Sequence, residues 1–273
     1  MAISVVKRTM RSLMLMAVAV YGFLFLYFWF FGDSLVFFPH RSSYRDGPGI
    51  LRIPSPDGQR LAAVHRVNPD ARFTILFSHG NAEDLGDNSY YFDGLQQAGF
   101  SVFAWDYRGY GLSDGRPSEK TFYGDAETVY DYLTRTLGVP ADRIILLGRS
   151  LGGAAAVHLA ARHPAAGLVL ESSFVSGRRV LSRIPLFPFD KFPNLDRLAR
   201  VTCPVLVIHG TQDRTIPFEH GEILFAAAPH PKRSLWVEGA GHNDLYLVAG
   251  ERYRRELRQF AEWLIELRGE AAP

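Results

Sequence analysis

The chain reads as an α/β protein: a mostly parallel central sheet with helices on both faces, preceded by one N-terminal transmembrane helix. Three observations predict this. Short apolar, β-branched runs alternate with helical stretches through most of the 273 residues, a pattern that builds parallel sheets from β-α-β units. The word Gly148-Arg149-Ser150-Leu151-Gly152-Gly153 sits between an apolar strand-like run and an alanine-rich helix former. Residues 13–31 carry no charge at all.

That uncharged segment comes first in the chain. As a helix, nineteen residues span roughly 28 Å, close to the ~30 Å hydrocarbon core of a bilayer. A cleaved signal peptide has a shorter apolar region and a small-residue cleavage site; here the run ends Tyr27-Phe28-Trp29-Phe30-Phe31-Gly32-Asp33. The terminal aromatics suit a membrane–water interface. We therefore expect a short basic segment (1–12), an uncleaved single-pass anchor (13–31) and a globular domain (35–268). Lys7, Arg8 and Arg11 precede the anchor and Asp33 follows it, so the positive-inside rule puts the domain on the non-cytoplasmic face. Leu35-Val36-Phe37-Phe38-Pro39 follows so closely that the domain is expected against the lipid surface.

Residues 51–53 and 61–67 predict a first antiparallel pair, joined at Pro54-Ser55-Pro56-Asp57-Gly58. Strands are expected at 73–78, 101–105, 143–147, 167–170, 204–208 and 234–237. Helices are expected at 88–98, at 119–137 with Ser118 as N-cap, over the alanine run after Gly153, and around 218–227. Tyr253, Leu257, Phe260, Leu264 and Leu267 repeat at a 4-3-4-3 spacing, which makes one buried stripe on a last helix.

Composition narrows the function. Hydrophobic content of 47% is enough for one large core, and a net charge of +2 argues against a dedicated nucleic-acid binder. Only four of the 30 basic residues are lysine, a skew read as genome composition. The single cysteine, Cys203, excludes an internal disulfide and a cysteine metal cluster. Neither His-Glu-x-x-His nor Gly-x-Gly-x-x-Gly occurs. No cofactor or metal is expected.

Gly-x-Ser-x-Gly at a strand-to-helix turn is the nucleophile-elbow pattern. The sharp turn lifts a serine hydroxyl clear of the sheet, and flanking glycines relieve the crowding. Ser150 is the candidate nucleophile, and the Leu151 N–H at the helix start is an oxyanion donor. The base and its carboxylate should follow in chain order. His158 and His163 lie on the elbow's own helix and point away from its start. His209 reads as structural, His220 is helical, and His230 lies between prolines. His242, in Glu238-Gly239-Ala240-Gly241-His242-Asn243-Asp244, occupies a flexible loop after a strand, where a ring can reach the serine. Asp213, at the end of a strand expected beside that of the elbow, is the candidate acid; Asp244 is second. Asp190 and Asp196 fall in an irregular stretch, and Asp106 reads as a loop brace. The second oxyanion donor should leave the strand at 73–78; the Asn81 N–H is preferred and Ala82 is the fallback. The apolar, arginine-bearing stretch 178–189 reads equally as a crossover and as a short cap over an acyl chain.

Several longer words join these: His79-Gly80-Asn81-Ala82-Glu83-Asp84-Leu85-Gly86, Asp106-Tyr107-Arg108-Gly109-Tyr110-Gly111, Gly115-Arg116-Pro117-Ser118-Glu119-Lys120, Phe192-Pro193-Asn194, Cys203-Pro204-Val205-Leu206-Val207-Ile208-His209-Gly210 and Leu235-Trp236-Val237-Glu238-Gly239-Ala240-Gly241-His242-Asn243-Asp244. On them, residues from about 35 to 267 resemble the single-domain α/β-hydrolase serine hydrolases. Among these they resemble the membrane-associated branch that includes the eukaryotic acyl-protein thioesterases, which remove palmitate from proteins. The resemblance implies the α/β-hydrolase fold and the triad Ser150, Asp213 and His242. It departs at the N-terminus, where those thioesterases carry a lipidated cysteine cluster and this chain carries an apolar helix. The expected substrates are acylated small molecules, lipids or proteins, with membrane lipids met through the N-terminal helix. An acyltransferase would use the same triad. A peptidase would need an extra domain or an amine site, and a non-catalytic membrane scaffold would need none of these residues.

Overall fold

The computed structural model describes residues 2–181 and 190–269. They form two compact units that divide between Phe38 and Pro39. The first is built on α1 (Ala2–Phe31), so the basic segment is helical and continuous with the apolar run. Within Val6–Phe31 an eighteen-residue window reaches a mean hydropathy of 2.1, and none of the side chains of that span is buried. A helix of a soluble domain hides one face; from Leu13 to Phe31 this one carries no charge on any face, as a helix in lipid requires. It is long and apolar enough to serve as a membrane anchor.

The second unit is an eight-stranded sheet clad in helices. Its strands are β1 (Leu51–Pro54), β2 (Arg60–Arg66), β3 (Thr74–Ser78), β4 (Ser101–Trp105), β5 (Ile144–Arg149), β6 (Gly167–Glu171), β7 (Val205–Gly210) and β8 (Lys232–Val237). They lie in the order β1-β2-β4-β3-β5-β6-β7-β8. The first hairpin is antiparallel, with Leu51 opposite Ala63, and β2 is antiparallel to β4. From β4 onward every pairing is parallel. β3 to β7 are buried along their whole length, as strands covered on both faces must be. This is the α/β-hydrolase fold.

The helices after the first are α2 (Ser89–Gln97), α3 (Glu119–Asp131), α4 (Gly152–Ala160), α5 (Gly177–Leu181), α6 (Asn194–Leu198), α7 (Glu219–Ala227), α8 (Leu245–Ala249) and α9 (Glu251–Glu266). The Ser118 hydroxyl caps α3 by accepting from Thr121 N, and the Thr121 hydroxyl accepts in return from Ser118 N. The helix expected to reach residue 137 changes at Tyr132 into a wider π-turn. The stripe on α9 is buried at Tyr253, Leu257, Phe260 and Leu264, but Leu267 lies past the helix end and is exposed. The short helices α5, α6 and α8 went unread, because five residues offer too little periodicity to recognise. Of the segment 178–189 considered as a cap, residues 182–189 lie outside the described residues.

Candidate active site

The site forms at the C-terminal ends of the parallel strands, where side chains of open α/β sheets face a ligand. β3 and β5 are neighbours, with Ser78 opposite Gly148, so the loop after β3 leaves beside the elbow after β5. At that elbow Ser150 has φ +51°, a left-handed conformation that costs an L-residue energy and is kept only where surroundings over-determine it. They do here. A Cβ on Gly148 would overlap the Gly152 carbonyl and Gly153, and one on Gly152 would overlap the Ser78 carbonyl oxygen. Only glycine at these two places lets α4 begin hard against the strand ends.

The structure brings three predicted side chains into one hydrogen-bonded line. His242 Nε2 lies 3.0 Å from Ser150 Oγ, and Nδ1 lies 2.7 Å from Asp213 Oδ2. A carboxylate only accepts, so Nδ1 carries the proton and Nε2 accepts from the serine hydroxyl. Asp213 Oδ1 accepts the Thr215 and Ile216 N–H groups at 2.9 and 2.8 Å. Burial pushes the Asp213 carboxyl up, but hydrogen bonds from His209 and His242, the His242 charge and the Ile216 N–H outweigh it. The net effect holds the group well below the usual carboxylate range.

The loops bearing Asp213 and His242 are laced together. Gln212 N donates to the Ala240 carbonyl at 2.9 Å, and Thr211 N to that of Val237 at 3.0 Å. Gly239 N donates back to Thr211 Oγ1. Asp244 does not reach the site: its Oδ1 accepts Gly241 N at 2.7 Å and so braces the turn before His242. One expectation needs correcting. The strand carrying Asp213 is not the immediate neighbour of the elbow strand; β6 lies between β5 and β7. Asp213 meets His242 because β7 and β8 are adjacent, and the imidazole bridges back to Ser150.

On the other flank, Leu151 opens α4, where helix N–H groups lack intrahelical acceptors. Asn81 lies in the loop after β3, with its side-chain oxygen accepting the Tyr110 hydroxyl at 2.5 Å and Ala82 N at 3.0 Å. The Ala82 N–H, the fallback donor, therefore already has an acceptor. The Tyr107 hydroxyl donates to the His79 carbonyl oxygen, and the His79 ring stacks on Tyr107 with centroids 4.0 Å apart. The word Asp106-Tyr107-Arg108-Gly109-Tyr110-Gly111 thus braces the loop after β3.

His209, which the sequence presents as a structural residue, lies beside the site. Its buried ring lies against the acid, with Nε2 3.4 Å from Asp213 Oδ2 and 2.9 Å from the Ile216 carbonyl oxygen. Gly221 of α7 lets the helix close on that ring, since a Cβ there would sit 2.7 Å from His209 Nδ1. The His209–Asp213 spacing of four residues was the available signal. Among the described residues, one group has ligand types near enough for a metal: His40, Asp84 and Asp87. Asp84 there serves the local fold: Oδ1 accepts the Ser43 hydroxyl, Gly86 N and Asp87 N, and Oδ2 accepts Ser43 N.

Comparison with known proteins agrees with this architecture. A family model described as serine aminopeptidase, S33, matches residues 69–190. The esterase Pf2001 of Pyrococcus furiosus superposes with a TM-score of 0.68 at 19% identity, over 82% of this chain and 98% of its own. At that identity the likeness speaks for the fold. Sequence relatives are nearer. Alpha/beta hydrolase domain-containing protein 17B of Homo sapiens is 43% identical over 225 residues, 81% of this chain and 77% of that protein. Alpha/beta hydrolase domain-containing protein 17C of Xenopus tropicalis is 44% identical over 219 residues, 79% and 70% of the two chains. On identity of that extent, carried through the whole catalytic fold, the chain belongs to the alpha/beta hydrolase domain-containing protein 17 family and is a serine hydrolase of the esterase type.

Proposed function

We propose that this protein is a membrane-anchored hydrolase of carboxylic esters or thioesters in acylated substrates, with Ser150 as nucleophile, His242 as general base and Asp213 as the carboxylate that orients it. The observation that carries the reading is the continuous line Asp213–His242–Ser150, at 2.7 and 3.0 Å.

The chemistry is a two-step acyl transfer. His242 Nε2 takes the Ser150 proton as Oγ attacks the carbonyl carbon, and the carbonyl oxygen becomes an oxyanion facing the Asn81 and Leu151 N–H groups. Collapse expels the alcohol or thiol, which leaves with the proton from His242. Water, deprotonated by the same imidazole, then attacks the acyl-enzyme and restores Ser150. Asp213, charged and buried, stabilises the imidazolium formed in each step.

The apolar α1 helix points to substrates that partition into lipid: acylated proteins, lipids or amphiphilic small molecules. In this reading the anchor crosses once and the catalytic domain lies on the non-cytoplasmic face, following the basic residues Lys7, Arg8 and Arg11.

The test is turnover of a chain-length series of esters, matched thioesters and peptide anilides by the detergent-solubilised protein, beside Ser150→Ala. Ester and thioester hydrolysis that disappears in a folded Ser150→Ala protein is expected. Turnover confined to the anilides would favour a peptidase, and wild-type rates in Ser150→Ala would remove Ser150 from the mechanism.

A further inference from the structure

Arg149 immediately precedes the nucleophile, and its side chain runs beneath the site instead of out to solvent. The residue is only 8% exposed. Its guanidinium makes a fork with Glu83, Nη2 to Oε1 at 2.9 Å and Nη1 to Oε2 at 3.3 Å. Nε lies 3.6 Å from Glu171 Oε1.

Each glutamate holds a backbone N–H of the site, Glu83 through its carboxylate and Glu171 through its main-chain carbonyl. Glu83 Oε2 accepts the Gly80 N–H at 3.1 Å, and the Asn88 amide at 3.2 Å. The carboxylate is packed so closely that a Cβ on Gly80 would lie 3.0 Å from Oε1. Gly80 is the residue before Asn81. Glu171 Oε2 accepts the buried Tyr91 and Tyr253 hydroxyls at 2.8 and 2.6 Å, while its backbone carbonyl accepts the Ser150 N–H at 2.8 Å.

Arg149 is buried and Glu83 largely so, and an ion pair taken mostly out of water is a poor source of stability, because desolvation cancels most of the attraction. It is a good source of fixed geometry, since a guanidinium fork holds a carboxylate in one orientation. We propose that the Arg149–Glu83 pair positions the second oxyanion donor: by holding the Glu83 carboxylate under Gly80, it sets the distance between the Asn81 N–H and Ser150. The inference rests on the proposed serine-hydrolase mechanism and adds two positioning residues to it. Neither touches substrate. Their effect is expected in the transition state, where charge accumulates on the oxygen, and not in ground-state binding.

The test uses the full-length protein in detergent with Glu83→Gln, which keeps the side-chain size and an acceptor for Gly80 but weakens the grip of Arg149. Active sites are counted with a fluorophosphonate, and kcat and KM are measured per titrated site. Affinity is measured for an acyl trifluoromethyl ketone. Ser150 Oγ adds reversibly to its carbonyl carbon, passing its proton to His242 and leaving an oxyanion in the hole. Losing one such donor outright costs about 10²–10³ in rate, so a displaced one is expected to cost about tenfold. We expect kcat to fall by that factor, KM to stay within twofold, and ketone affinity to weaken in parallel with kcat.

A pair that only holds the fold would lower Tm and the titratable fraction, leaving kcat per site and ketone affinity within twofold of wild type; that result overturns the proposal. Should Glu83→Gln not fold, Arg149→Lys decides on the same readouts, because lysine keeps the charge but replaces the fork with a single donor group. Ser150→Ala runs alongside. If it still turns over substrate the mechanism itself falls, whereas a dead Ser150→Ala beside a normal Glu83→Gln removes only the positioning role.

Discussion

The Ser150 N–H donates to the Glu171 carbonyl oxygen at 2.8 Å, which carries the β5–β6 ladder one residue beyond the strand and into the elbow. The left-handed Ser150 is therefore held by sheet hydrogen bonding on one side and by glycine packing on the other. Strain at the nucleophile depends on both.

Gly148→Ala tests the packing. Its Cβ would meet the backbone of Gly152 and Gly153, atoms that cannot swing aside as a flexible side chain would. Overpacking of this kind costs roughly 1–3 kcal/mol, a Tm loss of about 3–10 °C for a domain of this size. Turnover should fall more than tenfold as the elbow shifts. Gly124→Ala is the matched opposite: nothing lies within 4 Å of a Cβ there, Gly124 is internal to α3, and alanine should raise Tm slightly through helix propensity. Calorimetry on both variants would expose an error if the two shifts shared a sign.

Asp213→Asn and Asp244→Asn separate acid from brace. An amide at 213 cannot accept the His242 Nδ1 proton in the same way and favours the wrong imidazole tautomer, so kcat should drop by up to ~10⁴. The Asp244 side chain braces Gly241 N, so its amide should cost a few-fold at most. Steady-state kinetics with a soluble ester decides it; the reverse ranking would transfer the role to Asp244.

The Asp213 carboxyl also makes stability depend on acid. Its folded pKa lies below the unfolded one. The stability it contributes is thus fully present above about pH 4, the ordinary carboxylate value, and is lost as pH falls through that value toward the folded one. Thermal unfolding of wild type and Asp213→Asn should show a Tm difference that is constant from pH 7 to 5 and narrows below pH 4. A gap that widened toward acid would mean that the carboxyl is not held in its charged form.

The N-terminal helix is long and apolar enough to anchor the protein in a membrane. Hydrophobic insertion is not screened by salt, unlike attachment through a basic patch. The native protein should keep its N-terminus and remain with membranes through high-salt and carbonate washes. Deleting residues 1–31 should release a soluble domain that retains short-ester activity but loses preference for substrates in micelles or bilayers. An N-terminus found near Gly32 in protein recovered from cells would identify a cleaved leader instead.

Much of this architecture was legible before any coordinates, for a local reason. Gly148, Ser150 and Gly152 announce a sharp strand-to-helix turn because steric exclusion acts over five residues. Strand and helix periodicities read out within ten, and nineteen uncharged residues in a row leave few alternatives to lipid. The relationships across the chain left no such mark. That β6 separates β5 from β7 is settled by how helices and strands pack into one twisted sheet. His209 lies close to Asp213 in sequence, yet only the close approach of α7 at Gly221 turns its ring into a neighbour of the acid. The Tyr110 hydroxyl on Asn81 joins residues 29 apart, and the guanidinium of Arg149 meets Glu83 across 66. Such contacts belong to strand order and side-chain packing, which no short stretch of sequence encodes: each needs the whole sheet in place before the two partners share a location.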